Sequence, residues 1–349
     1  MRTICIMGLR RVDNPPNPFL THERVWLEEP PVARPVVYEE EAKSIVSTND
    51  SPDIPFRWSV NPYRGCQHAC AYCYARPTHE YLDFGAGTDF ETRIVAKINA
   101  PALLEKALRK RSWQNEEIVF SGVTDCYQPQ EAVYRLTRQC LELCARYRNP
   151  VGIVTKSFLI VRDIDILQSL NTFGGIQVYV SIAFADEAVA RAVDEGAPSV
   201  ARRFEAVRRL REAGVPTSVM VAPVIPGLND RDIPEILKRA AEAGAQGAGM
   251  TALRLPGNVQ PIFLQRLRAK LPHHAARVEA RIRDIRQGKM NQADFGKRMK
   301  GEGVYWDVIK RMFDVTAEKY GLRGLRNAGD APISAPKPKR FETLPLFPQ

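Results

Sequence analysis

Three cysteines crowd into one short run, NPYRGCQHACAYCYARP, where Cys66, Cys70 and Cys73 stand at the spacing C-x3-C-x2-C. Thiolates are soft ligands, and three of them on a tight loop suit a soft metal ion or an iron–sulfur cluster. A four-cysteine zinc site is one ligand short, and the donors nearby are Cys126 and His68, the latter with plain loop surface as its alternative. Cys140 and Cys144 repeat a C-x3-C spacing, but they fall on the apolar face of an amphipathic helix and read as buried thiols. Cys5 stands apart and reads as incidental. The opening MRTICIMGLRR has no basic region ahead of a long apolar stretch, so no secretory signal is expected, and the seven cysteines are not expected to form a disulfide framework.

The elements that must position these thiols show in the hydrophobic pattern. EIVFSGV is a buried-strand run, followed by a helix over 131–147 with Val133, Leu136, Cys140, Leu143, Cys144 and Tyr147 at helical spacing. VGIVTKS, IQVYVSIAF, TSVMVAPVI and GMTALRL are further strand runs, with a strand near 58–61 before them. Helices lie between, one stopping at Gly214, another opening with Asp232 and Glu235 at capping-box spacing and ending at Gly244. Repeated β-α units of roughly thirty residues imply a parallel sheet. About six units, and no G-x-G-x-x-G fingerprint, favour an open partial (β/α)6 TIM-like barrel over a dinucleotide-binding sheet. Proline-rich, irregular sequence marks 1–55 as an arm around a barrel at 56–260. A basic helical extension follows at 261–326 and a flexible tail at 327–349. Chemistry in such barrels gathers at the C-terminal strand ends. Those ends carry Cys66, Ser121 to Asp125, Thr155 and Lys156, Ser181, Pro223 to Asp230, and Arg254.

The cysteine run resembles the signature of the radical S-adenosylmethionine (SAM) superfamily. The order of NPYRGCQHACAYCYARP, SGVTDCYQPQE, IVTKS, VSIAF, VAPVIPGLND and ALRLP is similar to its spore photoproduct lyase-like branch, and most of all to the uncharacterised bacterial group with a T-D-x-Y-Q-P-x-E segment, across roughly 44–320. The resemblance implies that Cys66, Cys70 and Cys73 hold three irons of a [4Fe–4S] cluster. SAM chelates the fourth iron and is cleaved reductively, and the resulting 5′-deoxyadenosyl radical takes a hydrogen atom from the substrate. It implies Tyr72 near the adenine, Lys156 at the SAM carboxylate, Ser181 near the aminoacyl group, and Ala222 and Pro223 beside the adenosine. Asp125 is a candidate for the SAM amino group or the substrate, with a helix N-cap as its alternative. The lyase's hydrogen-donor cysteine aligns with Gly122. Cys126, a few residues on, is the remaining candidate for a radical or redox role.

The partner classes follow from charge and from the C-terminal sequence. A formal net charge of +10 and the basic run from Arg266 to Lys300 favour an acidic partner such as nucleic acid, against a solvated helix face. Tyr305 and Trp306 are placed to stack on a base or to anchor the last helix. Thr343–Phe347 resembles the pentapeptide by which bacterial replication and repair proteins dock on the sliding clamp, with Thr where Gln is usual. An electron-donor protein is implied by the superfamily's chemistry. No apolar run approaches the ~18 residues of a membrane span, so a soluble, cytoplasmic enzyme is expected. Three readings compete: a radical SAM enzyme acting on nucleic acid in a repair-like role, one modifying a protein or small molecule, and a non-catalytic metal-binding protein.

Overall fold

A computed structural model of the chain describes residues 35–325. Its strands are, in chain order, β1 (Val36–Glu40), β2 (Val46–Thr48), β3 (Trp58–Val60), β4 (Tyr63–Arg64), β5 (Arg93–Lys97), β6 (Ile118–Phe120), β7 (Val151–Thr155), β8 (Ile176–Ser181), β9 (Thr217–Val224), β10 (Gly247–Ala252) and β11 (Arg323–Gly324). The main sheet runs β11-β10-β9-β8-β7-β6-β3-β2. Every pairing from β3 to β11 is parallel, and only β2 runs antiparallel, against β3. The two ends of this order do not pair, so the six strands β3 and β6 to β10 make an open (β/α)6 partial barrel, as the six-unit pattern predicts. Parallel strands covered by crossover helices are buried on both faces. Val60, Phe120, Ile153, Val178, Val219 and Ala248 accordingly share one core with the helices.

A second, three-stranded sheet of order β1-β5-β4 stands beside the barrel and leads directly into the cysteine loop. It also changes the reading of the arm. Residues 36–40 lack a strand period of their own, yet they pair in register with β5, Val36 opposite Arg93 through Glu40 opposite Lys97. A partner some fifty-seven positions away supplies the order that local sequence does not.

Two helix expectations are corrected. The segment 131–147 is two helices, Glu131–Tyr134 and Leu136–Arg146, broken at Arg135 with φ +52°. The Glu131 carboxylate turns back to accept from the amides of Thr137 (2.9 Å) and Arg138 (3.2 Å), so an anion caps the second helix where its dipole is positive. Asp232 does not cap its helix by side chain. Its carboxylate accepts from the Ala185 amide at 3.0 Å, tying that helix start to the end of β8.

The C-terminal extension comprises helices Val259–Lys270, Pro272–Asp284 and Val304–Lys319. Several of its basic residues are tied up in ion pairs. Arg266 is buried against Glu91, Lys270 pairs with Glu195, Arg268 with Glu279, and Arg298 with Asp53. Glu91, Glu195 and Asp53 lie far off in sequence, which is why much of the run looks unpaired when read linearly. Among the described residues no helix is long and apolar enough to cross a membrane.

Candidate metal centre and cofactor site

β4 delivers the chain to Gly65, whose φ is +74° and where a Cβ would lie 2.9 Å from both His79 Cε1 and the Phe90 carbonyl oxygen. Only glycine fits that close approach. From there the chain makes successive tight turns, with Ala69 N donating to Cys66 O (3.3 Å) and Cys73 N to Cys70 O (3.2 Å). Cys66 and Cys70 are buried, and Cys73 is half-buried. Two guanidiniums grip the loop from below. Arg76 donates to the Cys70 carbonyl through Nε (3.1 Å) and Nη2 (2.7 Å), and Arg266 donates to the Ala69 carbonyl (2.8 Å). Both pair with the buried Glu91 carboxylate, which offsets one of their two charges. The stretch after the helix Glu187–Val193 closes the other side: Ala71 N donates to Val193 O (2.8 Å) and Gly196 N to His68 O (3.0 Å).

Burial, and then the Asp125 carboxylate, push the Cys66 thiol up to about 12. Burial raises Cys70 well above its ordinary range, with Asp194 adding to the effect and Lys156 opposing it. Cys73 is raised by burial, against Arg76 and Lys156. Lone thiolates are therefore disfavoured, and a metal centre supplies the positive charge that would deprotonate them. Among the described residues no three His, Cys, Asp or Glu donors converge as around a single ion. A cluster takes one thiolate per iron at separate corners, so three sulfurs without a fourth fit a [4Fe–4S] cluster with one open iron.

The residues expected around the thiols lie at successive strand ends. Lys156 follows β7, and its Nζ stands 5.6 Å from the Tyr72 ring centroid. Burial opposes its charge, but Cys70, Asp194 and Asp125 outweigh that and raise its pKa. Tyr72, expected beside the adenine, is 7% exposed, with its ring beneath that ammonium. Ser181 ends β8 and donates to the Ala222 carbonyl at 3.0 Å, so Ser181, Ala222 and Pro223 adjoin.

Asp125 is not a helix N-cap. Its Oδ1 accepts from Tyr127 N (2.9 Å) and Thr155 Oγ1 (2.7 Å), and its Oδ2 accepts from Lys156 N (2.8 Å) and faces His68 Nδ1 (3.3 Å). Burial would raise its pKa, yet His68, the Lys156 amide and Thr155 bring it down to about 2. Its oxygens are spent within the protein, which makes it a clasp between the cysteine loop and the end of β7. His68 correspondingly spends Nδ1 on that clasp. Cys126 is fully buried in the main core, its thiol raised well above the ordinary range by burial and Asp125. Cys140 and Cys144 are buried in the same core.

Several residues of the site escaped sequence reading. Asp194 pairs with Arg203 at 2.8 Å beneath Tyr72 and Lys156, and a β-bridge joins Cys70 to Asp194. Their separation carries no local signal. Arg76 lies three residues beyond Cys73, and that closeness to the motif was the one available hint. Arg254, at the end of β10, faces the Tyr74 ring at 5.7 Å, has no carboxylate within ion-pair distance among the described residues, and its buried Nε has no hydrogen-bond partner.

Residues 60–240, just over half the chain, match the family described as the Radical SAM superfamily. An uncharacterised protein of Mycobacterium tuberculosis is 40% identical over 213 residues, covering 60% of this chain and 63% of that protein. The chain thus matches under two thirds of the length of these curated relatives. A protein of Pseudomonas phage M6 named radical SAM Nalpha-GlyT isomerase is 24% identical over 253 residues, covering 71% of this chain and 50% of its own. In fold, the chain is similar to spore photoproduct lyase solved with AdoMet and dinucleoside spore photoproduct: TM-score 0.60 at 16% identity, covering 82% of this chain and 80% of the lyase. The chain belongs to the radical SAM superfamily, whose enzymes use a [4Fe–4S] cluster and SAM.

Proposed function

We propose that the chain cleaves SAM reductively at a [4Fe–4S] cluster held by Cys66, Cys70 and Cys73, and directs the resulting radical to a hydrogen atom of its substrate. The observation that carries this reading is the Lys156 ammonium after the end of β7, 5.6 Å from the ring of Tyr72 in the cysteine loop, a cation of the kind that suits the carboxylate of SAM. When bound, the cluster supplies the electron and the open iron that this chemistry needs. The protein's part is to hold its partners. Lys156 binds the carboxylate, the Tyr72 ring and the Asp194 carboxylate favour its ammonium, and Arg203 opposes that charge while pairing with Asp194. Ser181 and the Ala222–Pro223 strand end line the aminoacyl and adenosine side. Asp125 acts as a positioning residue, since its oxygens are engaged by Thr155, Tyr127, His68 and the Lys156 amide. Burial of Cys126 in the core speaks against a radical relay through its thiol.

Anaerobic reconstitution tests the reading. The parent chain should take up close to four irons and, with SAM and a reductant, form 5′-deoxyadenosine. Cys70→Ala should lose both the iron and the product. A parent chain that stays iron-free and colourless sinks the proposal.

For substrate we propose a nucleic acid, as in a repair-like role. The net charge of +10 supports this, as does Arg254, which has no ion-pair partner among the described residues and lies beside Tyr74, a cation and an aromatic side by side. Binding of a short single-stranded oligonucleotide should weaken steeply with salt, and Arg254→Gln should weaken it further while reducing the salt slope by about one. Salt-independent or absent binding favours a protein or small-molecule substrate instead. The Thr343–Phe347 segment lies outside the described residues. We propose that it docks on a sliding clamp, so deletion of 343–349 should abolish clamp capture in a pull-down, and an intact chain that never binds a clamp refutes it. An electron donor completes the set of partners.

A further inference from the structure

The segment Thr124–Glu131 sends its side chains back toward the run that leads into the cysteine loop. Thr124 Oγ1 donates to the Tyr63 carbonyl (3.0 Å), and the Tyr63 hydroxyl donates to the Glu131 carboxylate (2.6 Å). Between these anchors Gln128 is fully buried and makes two bonds to the loop's backbone. Its Nε2 donates to the Gly65 carbonyl (3.0 Å), and its Oε1 accepts from the Gln67 amide (3.2 Å). Those are the peptide groups on either side of Cys66. The Cys66 amide itself donates to the Phe90 carbonyl (2.8 Å). A carboxamide is the side chain that offers a donor and an acceptor side by side, which is what the two flanking groups require. The backbone amides of His68 and Asp125 favour the charged form of the Cys66 sulfur, against its burial.

We propose that Gln128 is a positioning residue for the cluster: its carboxamide fixes the peptides flanking Cys66, and so sets where that sulfur sits and which backbone amides it meets. Outer-shell contacts that orient a ligand, and N–H bonds to its sulfur, are levers on the stability of a reduced iron–sulfur centre. Loss of the Gln128 bonds frees the loop to turn those amides away. The reduced state, with its extra negative charge, then becomes harder to reach. This role rests on the cluster reading above.

The test uses the full chain, reconstituted anaerobically with iron and sulfide, as parent, Gln128→Met and Gln128→Glu. Met is unbranched, close in volume, and makes neither bond. Glu keeps acceptance from the Gln67 amide but cannot, as a carboxylate, donate to Gly65. Both variants should bind the parent's complement of iron and melt cooperatively. In an EPR-monitored titration without SAM, the midpoint potentials of both variants should move to more negative values, the added negative charge in Glu contributing to its shift. Amide exchange over 64–70 in the iron-free chain should quicken in both. A folded Gln128→Met with the parent's potential and exchange overturns the proposal, as does a variant that melts lower with the potential unchanged. Should Met not fold, the parent's potential and exchange in Glu overturn it equally. A parent chain that takes up no iron defeats the cluster reading, while the exchange measurement still decides whether Gln128 grips the loop.

Discussion

A guanidinium that donates to a peptide carbonyl holds that peptide at a set angle, and Arg76 and Arg266 do so at the consecutive carbonyls of Cys70 and Ala69. Their charges are out of water and depend on Glu91. Arg76 also donates to the buried carbonyls of Cys70, Ala86 and Gly87, and its loss leaves these acceptors unmet, at a cost on the order of 3 kcal/mol in all. Arg76→Met should therefore lower unfolding free energy by about that amount in a urea titration and reduce iron uptake, because the loop loses its floor. A surface-like change of under about 1 kcal/mol would mean that the pairing is not structural. Lys156→Ala acts differently. Its ammonium pairs with no carboxylate within ion-pair distance among the described residues. Losing a charge-assisted bond to the SAM carboxylate, on the order of 1.5–3 kcal/mol, should weaken SAM binding roughly ten- to hundredfold by equilibrium dialysis, with iron content retained.

The elements around the cysteine loop meet backbone to backbone, and two glycines make that possible. A Cβ at Gly196 would lie 2.0 Å from the Gln67 carbonyl oxygen, so the turn after Val193 can lie against the loop only without a side chain there. Gly196→Ala should displace the loop and cost about 2 kcal/mol or more in chemical denaturation, with a lowered iron yield. Wild-type stability and iron in that variant would contradict the close packing. Gly65 carries both a close approach and a positive φ, so Gly65→Ala should be at least as damaging. The broken helix after Glu131 belongs to the same scale. The apolar spacing of Leu136, Cys140, Leu143 and Cys144 foretells a helix there. The turn at Arg135 depends on where Glu131's carboxylate goes, and periodicity does not carry that information.

At the scale of the whole molecule, the open barrel leaves a small sheet and three C-terminal helices to wall in the site, and histidine burial makes that assembly sensitive to acid. Burial, against a hydrogen bond to the Arg93 carbonyl, lowers the pKa of His79 to about 4 from an ordinary 6.5. The unfolded chain thus takes up a proton near pH 6.5 that the folded chain refuses until near pH 4. The His79 contribution is complete above the higher value and is lost progressively as pH falls through that window. Stability of the parent should decline from pH 6.5 toward pH 4, and His79→Gln should flatten part of that slope. An identical slope in both would show that His79 is not the group responsible. The basic run 266–300 shows the same dependence on distant partners. Arg266, Lys270 and Arg298 find Glu91, Glu195 and Asp53, so a charge count along the chain overstates the free positive surface.

What the sequence by itself determined is local: the spacing of three thiols, the β-α period that implies an open barrel, and the order of polar strand ends at Lys156, Ser181 and Pro223. Each is written within a few residues or in a repeat, and hydrophobic period or ligand chemistry reads it directly. Tertiary structure alone decided which residues hold those thiols. Gln128 meets the peptides flanking Cys66, Arg266 meets Ala69, and Asp194 meets Cys70 and Arg203 through contacts that only folding brings into range. A buried polar group must find its partner wherever the fold places one, and that partner's position in the chain leaves no periodic trace.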